Sequence, residues 1–83
     1  MQRLRDIRKQ QGLTQDKLAH KLNVVRSTIA MYETGASEPD FQTLRRISEI
    51  LNVSVDYLLG LSNDPHMSAT ILIPIYREIK KNI

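Results

Sequence analysis

The stretch that most restricts how this chain can fold is residues 13–35, LTQDKLAHKLNVVRSTIAMYETG. It predicts two short helices joined by a tight turn. Thr14 can accept a hydrogen bond from a free backbone N–H in the first turn of a helix. Asn23 tolerates the left-handed conformation that ends a helix, and Gly35 is the residue type most often found at such an end. We therefore expect the first helix to run from Thr14 to Asn23, and the second to begin near residues 25–26 and stop at Gly35.

The second of these helices has a narrow inward face. Ile29 and Tyr32 share one side at helical spacing, whereas small, polar and flexible side chains occupy the outer side: Arg26, Ser27, Ala30 and Met31. A stripe this narrow leaves most of the helix surface free for an outside partner. The pair is a helix-turn-helix, and we expect its second helix to enter a groove.

Length and composition indicate one small domain. At 83 residues the chain is near the size at which a single core only just suffices. It has no cysteine or tryptophan and only one phenylalanine, so we expect an aliphatic core without disulfides or thiolate-bound metal. No apolar run approaches the roughly 20 residues of a membrane-spanning helix, and the N-terminus lacks a signal-peptide pattern. We therefore expect a soluble, cytoplasmic protein.

The basic charge is concentrated in the half of the chain that contains the helix pair. The net charge is +3 overall. Residues 1–37 carry seven Lys/Arg against three Asp/Glu, residues 38–64 carry two against five, and residues 65–83 carry three against one. Such a distribution favours an anionic partner for the helix pair, as a nucleic-acid-binding surface requires.

Apolar residues at helical spacing predict three further helices. Leu4 and Ile7, with Gln11 as a further candidate, indicate an amphipathic helix that Gly12 closes. An apolar stripe predicts a core helix over residues 41–51 with Asp40 as its cap: Phe41, Leu44, Ile47, Ile50 and Leu51. A last short helix follows, capped by Ser54 and ended by Gly60, with an apolar set expected to pack against the earlier helices: Val55, Leu58 and Leu59. The chain is thus expected to be all-α, with five helices in a domain over residues 1–61.

The remainder of the chain has a different composition. Residues 62–70 have the composition of a linker. Residues 71–83 are rich in isoleucine and contain Pro74. Two alternatives stay open for this extension: a strand before Pro74, favoured by its β-branched residues, or a helix that begins near it. The extension is expected to form a dimer contact, pack on the helical body or begin a further domain.

Catalytic patterns are not evident in the sequence. The two histidines, His20 and His66, lie in different segments, and no serine has an arranged base nearby. A Gly-rich phosphate loop and a cluster of metal ligands are also missing from the sequence. We therefore expect no enzymatic activity, no cofactor and no metal, and no small-molecule ligand is evident.

Residues 4–60 resemble the XRE family of helix-turn-helix DNA-binding domains, the group that includes the lambdoid phage repressors and Cro. The matching residues are Leu4, Ile7, Arg8, Gly12-Leu13-Thr14-Gln15, Leu18-Ala19, Leu22-Asn23-Val24, Ser27-Thr28-Ile29, Tyr32-Glu33, Gly35, Glu38-Pro39, Leu44, Ile47, Ile50-Leu51-Asn52-Val53 and Val55-Asp56-Tyr57-Leu58-Leu59-Gly60. The resemblance implies a five-helix lambda-repressor-like domain, which the C-terminal extension of residues 71–83 follows. It also implies sequence-specific binding of double-stranded DNA and regulation of transcription, most simply as a repressor that binds a palindromic operator as a homodimer.

The resemblance assigns base contacts to the second helix of the helix-turn-helix, called the recognition helix below. Arg26 and Ser27 occupy its first exposed turn, from which side chains reach base edges in the major groove. Arginine there most often binds guanine, with a phosphate contact as the alternative for Arg26. Thr28 is expected to contact bases or a phosphate. Met31 is expected to contact a thymine methyl group or, alternatively, to pack on Gln15 or on the turn.

The expected phosphate contacts lie on three other helices. Gln15 resembles the family glutamine that contacts a phosphate and steadies a neighbouring side chain, and Lys17 follows it in the same turn. Arg8 on the first helix and Arg45 on the fourth are the other candidates. Glu33 is expected to pair with a basic residue of the first helix, because a carboxylate beside phosphates would repel them.

The chain departs from the family pattern in two features, a helix cap and a loop. Val25 stands where the family usually has Ser or Thr as a helix cap, and losing that oxygen costs about 1 kcal/mol. Ala36 and Ser37 stand in a loop that usually carries Lys or Arg, which lowers the expected non-specific affinity for DNA; Arg45 or Arg46 is expected to compensate. The alternative function is a protein-interaction module, such as an antitoxin or anti-repressor partner, that acts through residues 71–83.

Overall fold

Five helices and no strand form the part of the chain that the computed structural model describes, residues 1–66. In chain order they are α1 (Gln2–Gln10), α2 (Gln15–Leu22), α3 (Arg26–Thr34), α4 (Phe41–Leu51) and α5 (Val55–Leu58). The predicted all-α fold with five helices is confirmed. The predicted extension over residues 71–83 lies outside the described residues, and so does the end of the predicted linker.

Side-chain caps begin three of the helices. Thr14 accepts a hydrogen bond from the backbone N–H of Lys17, and the caps of α4 and α5 make the equivalent bonds: Asp40 from Thr43 and Ser54 from Tyr57. Each such cap stabilises its helix by about 1 kcal/mol. Val25 occupies the same position before α3 and offers no side-chain hydrogen bond, as the sequence predicts. Helix α3 therefore begins without a cap of this kind.

Left-handed residues end the two helices of the helix-turn-helix. Asn23 ends α2 at a φ of 61° and Gly35 ends α3 at a φ of 84°. Asn23 and Val24 donate backbone hydrogen bonds to the carbonyls of the last turn of α2. These bonds keep the α2–α3 connection short, so that the direction of α3 follows from the end of α2.

The core is aliphatic, as the composition predicts, and Tyr32 is the one aromatic member that the described residues contribute to it. Its side chains come from all five helices and from the α4–α5 connection: Leu4, Ile7, Leu18, Ala19, Leu22, Ile29, Tyr32, Leu44, Ile47, Leu51, Val53 and Leu58. Ile29 and Leu18 are fully buried, and the small Ala19 beside Leu18 leaves room for a crossing helix. This packing of α2 against α3 turns the opposite side of α3 outward.

Three predicted core positions lie at the surface. Phe41 is 74% exposed and Leu59 is 46% exposed, although both fit the apolar periodicity. Gln11 is also exposed, and its amide donates a hydrogen bond to the carbonyl of Leu51 at 2.7 Å. Phe41 is the first residue of α4 and Leu59 follows the last residue of α5. Periodicity identifies one side of a helix, but burial also needs a neighbouring element opposite that side, and helix ends often lack one.

The first residues of the predicted linker are bonded to the helical body. Arg3 of α1 donates hydrogen bonds from Nη1 to the carbonyls of Tyr57 at 3.0 Å and Ser62 at 2.8 Å. The Arg3 guanidinium also lies 4.7 Å from the centre of the Tyr57 ring. The backbone N–H of Ser54 donates to the carbonyl of Pro65 at 2.9 Å. These contacts hold residues 62–65 against α1 and α5.

None of the helices among residues 1–66 has both the length and the apolar character that crossing a membrane requires.

Candidate nucleic-acid interface

The outer side of α3 is open to solvent in the described structure. Arg26 and Ser27 are exposed, Met31 is 41% exposed, and Thr28 is half-buried. The inner side of α3 carries Ile29, Tyr32 and Glu33, all of which are buried. The buried inner side of α3 and the exposure of Arg26, Ser27 and Met31 are therefore as the sequence predicts, whereas Ala30, also assigned to the outer side, is half-buried.

A buried ion pair connects α1 to the inner side of α3. The Arg8 guanidinium donates from Nε to Oε2 of Glu33 at 2.6 Å and from Nη2 to Oε1 at 3.2 Å. Arg8 also donates from Nη1 to the carbonyl of Leu13 at 2.8 Å. The two charged side chains are only 9% and 4% exposed. The predicted pairing of Glu33 with a basic residue of the first helix is confirmed, and Arg8 is its partner.

Gln15 extends this ion pair to the surface of the recognition helix. Its side-chain Nε2 donates to Oε1 of Glu33 at 3.0 Å. Its Oε1 accepts a hydrogen bond from Nε of Arg26 at 3.2 Å. A continuous hydrogen-bonded chain, called the Arg8–Arg26 network below, thus runs from Arg8 through Glu33 and Gln15 to Arg26. It brings together three of the predicted site residues, which come from three different helices.

The network changes the interpretation of Arg8. The sequence predicts a phosphate contact for this residue, but Glu33 neutralises its charge and the protein itself binds three of its nitrogens. An exposed arginine attracts phosphate because its charge is free, and the charge of Arg8 is buried and paired. Arg8 is therefore placed to support the interface from within, and its phosphate contact stays a prediction that its buried, paired charge disfavours.

The environment of Glu33 favours its ionised form. Burial is the largest single influence and by itself raises the pKa of the Glu33 carboxyl. The hydrogen bonds from Arg8 and Gln15, together with the positive charges of Arg8 and Arg5, outweigh that influence, so that the pKa lies below its ordinary value. Glu33 is therefore an acceptor only, and both of its oxygens are available to Arg8 and Gln15.

A shallow cleft of about 340 Å³ lies over the outer end of the network, where α2 begins. Its lining residues are Arg8, Thr14, Gln15, Asp16 and Arg26. A phosphate at a helix N-terminus is favoured by the free backbone N–H groups and by the helix dipole. In this cleft Arg26 adds a positive charge and Asp16 opposes it.

The other predicted phosphate-binding residues lie outside the network. Lys17 is exposed in the first turn of α2. Arg45 is exposed on α4, where its Nε lies 3.5 Å from Oε1 of Glu49, one turn further along. An exposed pair of this kind is weak, so Arg45 remains free to exchange partners.

Sequence reasoning missed the bond between Gln15 and Glu33. The sequence predicts that Glu33 pairs with the first helix and that Gln15 steadies a neighbouring side chain, but it does not predict that these two residues bond to each other. Their direct contact depends on how α2 crosses α3, which no local pattern reports.

The family model described as Helix-turn-helix (HTH_3) matches residues 4–58. The chain belongs to this helix-turn-helix family. Residues 4–58 are therefore a DNA-binding domain of the type found in transcriptional regulators, and the family is not one of enzymes.

Relatives of the helix-turn-helix family agree with this assignment. The uncharacterized HTH-type transcriptional regulator YqaE of Bacillus subtilis (strain 168) is 52% identical over 62 residues, which cover 74% of this chain and 53% of YqaE. The HTH-type transcriptional regulator ImmR of the same organism is 43% identical over 58 residues, covering 70% of this chain and 46% of ImmR. The chain thus spans about half the length of these curated relatives.

The N-terminal DNA-binding domain of SinR from Bacillus subtilis has a similar structure. The two superpose with a TM-score of 0.63 at 36% identity, covering 70% of this chain and 86% of the SinR domain. This likeness extends the family assignment from sequence to fold.

Proposed function

We propose that this protein is a transcriptional repressor that binds a palindromic operator in double-stranded DNA as a homodimer, in the cytoplasm. The observation that carries the proposal is the exposed outer side of α3 with Arg26 at its first turn, in a chain of the helix-turn-helix family. The major groove of B-DNA is about 12 Å wide and admits one α-helix.

The N-terminal turn of α3 supplies the base contacts in this proposal. Arg26 donates hydrogen bonds to O6 and N7 of a guanine, the commonest specific contact of an arginine in the major groove. Ser27 and Thr28 contact neighbouring base edges. Met31 lies one turn further along, where its exposed side chain packs against the methyl group of a thymine.

Phosphate contacts position the domain on the duplex. Gln15 and Lys17 lie in the first turn of α2, where the free backbone N–H groups also favour an anion. Arg45 on α4 exchanges its partner Glu49 for a phosphate of the DNA. Contacts of this kind fix orientation without distinguishing sequences, and each phosphate neutralised by Lys or Arg adds about 0.9 units to the steepness with which log affinity falls with log salt.

Dimerisation follows from the size of the site. One short helix reads only a few base pairs, whereas a dimer reads two half-sites about 34 Å apart on one side of the duplex. Repression needs only occupancy of the operator, because a protein in the major groove excludes other proteins from that DNA. The alternative of a protein-interaction module rests on residues 71–83, outside the described residues, and no contact among residues 1–66 favours it.

Selection of bound duplexes from a random DNA pool tests the proposal. The recovered sites should share an inverted repeat that contains a guanine in each half. Arg26→Ala should reduce the preference for the selected site over unrelated DNA by roughly 1–3 kcal/mol for each arginine–guanine pair that it removes.

Lys21→Ala is the matched control, because it removes one exposed positive charge from the last turn of α2. This variant should keep the preference for the selected site. A pool that yields no common sequence, or an Arg26→Ala protein with unchanged preference, would contradict the proposal.

A further inference from the structure

We propose that Glu33, although it is buried on the inner side of α3, is a positioning residue for base discrimination: through the amide of Gln15 it sets the orientation of the Arg26 guanidinium. This inference rests on the proposed function, since it concerns how Arg26 is presented to a base. It assigns a role in sequence recognition to a side chain that cannot itself reach DNA.

The first step is the position of Glu33. Its side chain is 4% exposed and bound by Arg8, so it contacts neither solvent nor a groove of DNA. The bond from Arg8 to the carbonyl of Leu13 holds the guanidinium from the other side. Arg8 therefore fixes both carboxylate oxygens, and Oε1 is directed at Gln15.

The second step is the orientation of the Gln15 amide. A carboxylate accepts hydrogen bonds and cannot donate them, so Gln15 must turn its NH₂ group towards Glu33. The amide oxygen then points the other way, towards α3. In the reverse orientation the amide oxygen of Gln15 would face a carboxylate oxygen of Glu33, and its NH₂ group would face the Nε–H donor of Arg26. Glu33 thereby makes position 15 an acceptor towards position 26.

The third step is the consequence for Arg26. Its Nε donates to Oε1 of Gln15 at 3.2 Å. The guanidinium is planar and has a fixed fork of donors, so a bond at Nε restricts the plane of the group. The Nη1 and Nη2 atoms remain for O6 and N7 of a guanine. An arginine without this bond must lose more rotamer freedom when it binds a base.

The experiment uses Gln15→Met, Glu33→Gln and the double variant of the full chain. Methionine has a similar length and lacks both amide atoms, and it leaves the Arg8–Glu33 pair intact. Glutamine at position 33 offers a donor as well as an acceptor, so it no longer dictates the orientation of Gln15. The measured quantity is the ratio of affinities for the selected operator and for the same duplex with adenine in place of the guanine at the Arg26 position.

Gln15→Met should reduce that ratio roughly tenfold, since a good arginine–guanine pair accounts for a factor of about 10 to 100. Glu33→Gln should reduce it by about threefold to tenfold on the same scale. In the Gln15→Met background, Glu33→Gln should have no further effect, because residues that act through one another are not additive. Loss of the Gln15 phosphate contact weakens both duplexes alike and cancels in the ratio.

Ile47→Val is the matched control, because it destabilises the buried core on α4 and leaves every hydrogen-bonding group of the network in place. Its ratio should equal that of the unmodified protein. An unchanged ratio in Gln15→Met, or additive effects in the double variant, would overturn the inference. An unchanged ratio in Glu33→Gln would overturn it as well. If Glu33→Gln does not fold, the variant with Met at both positions 8 and 33 takes its place, because it also removes the carboxylate that Gln15 faces, and it should show the same reduction. A ratio near one in the unmodified protein would instead contradict the proposed function.

Discussion

Two arginines of α1 hold opposite regions of the molecule, and they do so by different chemistry. Arg8 is buried, pairs with the carboxylate of Glu33 and supports the recognition helix. Arg3 is half-buried, donates to the carbonyls of Tyr57 and Ser62, and lies over the Tyr57 ring. Removing Arg8 leaves a buried charge without a partner, whereas removing Arg3 leaves carbonyls that water can reach. Substitution of the Arg8–Glu33 pair should therefore lower the free energy of unfolding far more than substitution of the contacts near residues 62–65.

Arg8→Met should have the largest effect on stability. It leaves the Glu33 carboxylate buried and unpaired, which costs about 3–5 kcal/mol. Urea unfolding followed by circular dichroism measures the change in the free energy of unfolding. The variant with Met at both positions 8 and 33 is the control, and it should recover most of the loss because a buried pair can be replaced by apolar residues at little cost. A loss below about 1 kcal/mol in Arg8→Met would contradict the buried pairing.

Acid should remove part of the stabilisation that the ionised Glu33 carboxylate provides through its pairing with Arg8. The pKa of Glu33 is lower in the folded protein than in the unfolded chain, so the unfolded chain binds more protons in this range. The stabilisation is present above the unfolded pKa, about 4.3, and is lost as the pH falls through the folded pKa. Asp40 and Asp64 also have lowered pKa values, so the comparison is with a variant carrying Met at both positions 8 and 33. That variant should lose less stability between about pH 5 and the acid limit than the unmodified protein; equal losses would count against the Glu33 assignment.

Arg3→Met should have a smaller effect, about 1–2 kcal/mol, from two partly buried hydrogen bonds and the contact with the Tyr57 ring. Hydrogen exchange should show faster exchange at the amide of Ser54, which donates to Pro65. DNA discrimination should stay unchanged, in contrast to Gln15→Met. A changed discrimination ratio would show that the two regions are coupled.

Val25→Ser should have the smallest effect, and its sign is opposite. The serine hydroxyl supplies the cap that α3 lacks, which should raise stability by about 0.5–1 kcal/mol. Thermal unfolding measures the gain, and Val25→Ala should not show it. A serine variant no more stable than the alanine variant would mean that the turn before α3 does not admit the capping bond.

Local patterns predicted most of the fold, because the signals for helix ends lie within a few residues of each other. Thr14, Asp40 and Ser54 cap the helices where expected, and Gly35 ends the recognition helix. The exposure of Phe41 could not be predicted in this way, since burial depends on which helix lies opposite.

The candidate site shows the same division between local and long-range information. The sequence predicts which side of α3 is exposed, since that follows from the spacing of Ile29 and Tyr32. It does not identify Arg8 as the partner of Glu33, because a basic residue at helical spacing looks the same whether it faces phosphate or a buried carboxylate. The partner of Arg8 is 25 residues away in the chain. Only the crossing of α1 and α3 brings Glu33 within reach.

Backbone amide shifts recorded during titration with the selected operator are the sharpest test of whether DNA binds to α3, because they report both regions of the molecule at once. We expect the largest changes at residues 14–17 and 25–31, around the Arg8–Arg26 network and the outer side of α3. We expect smaller changes at residues 54–65, which Arg3 holds through Tyr57 and Ser62. Large changes at residues 54–65, with α3 unaffected, would show that DNA does not bind to α3.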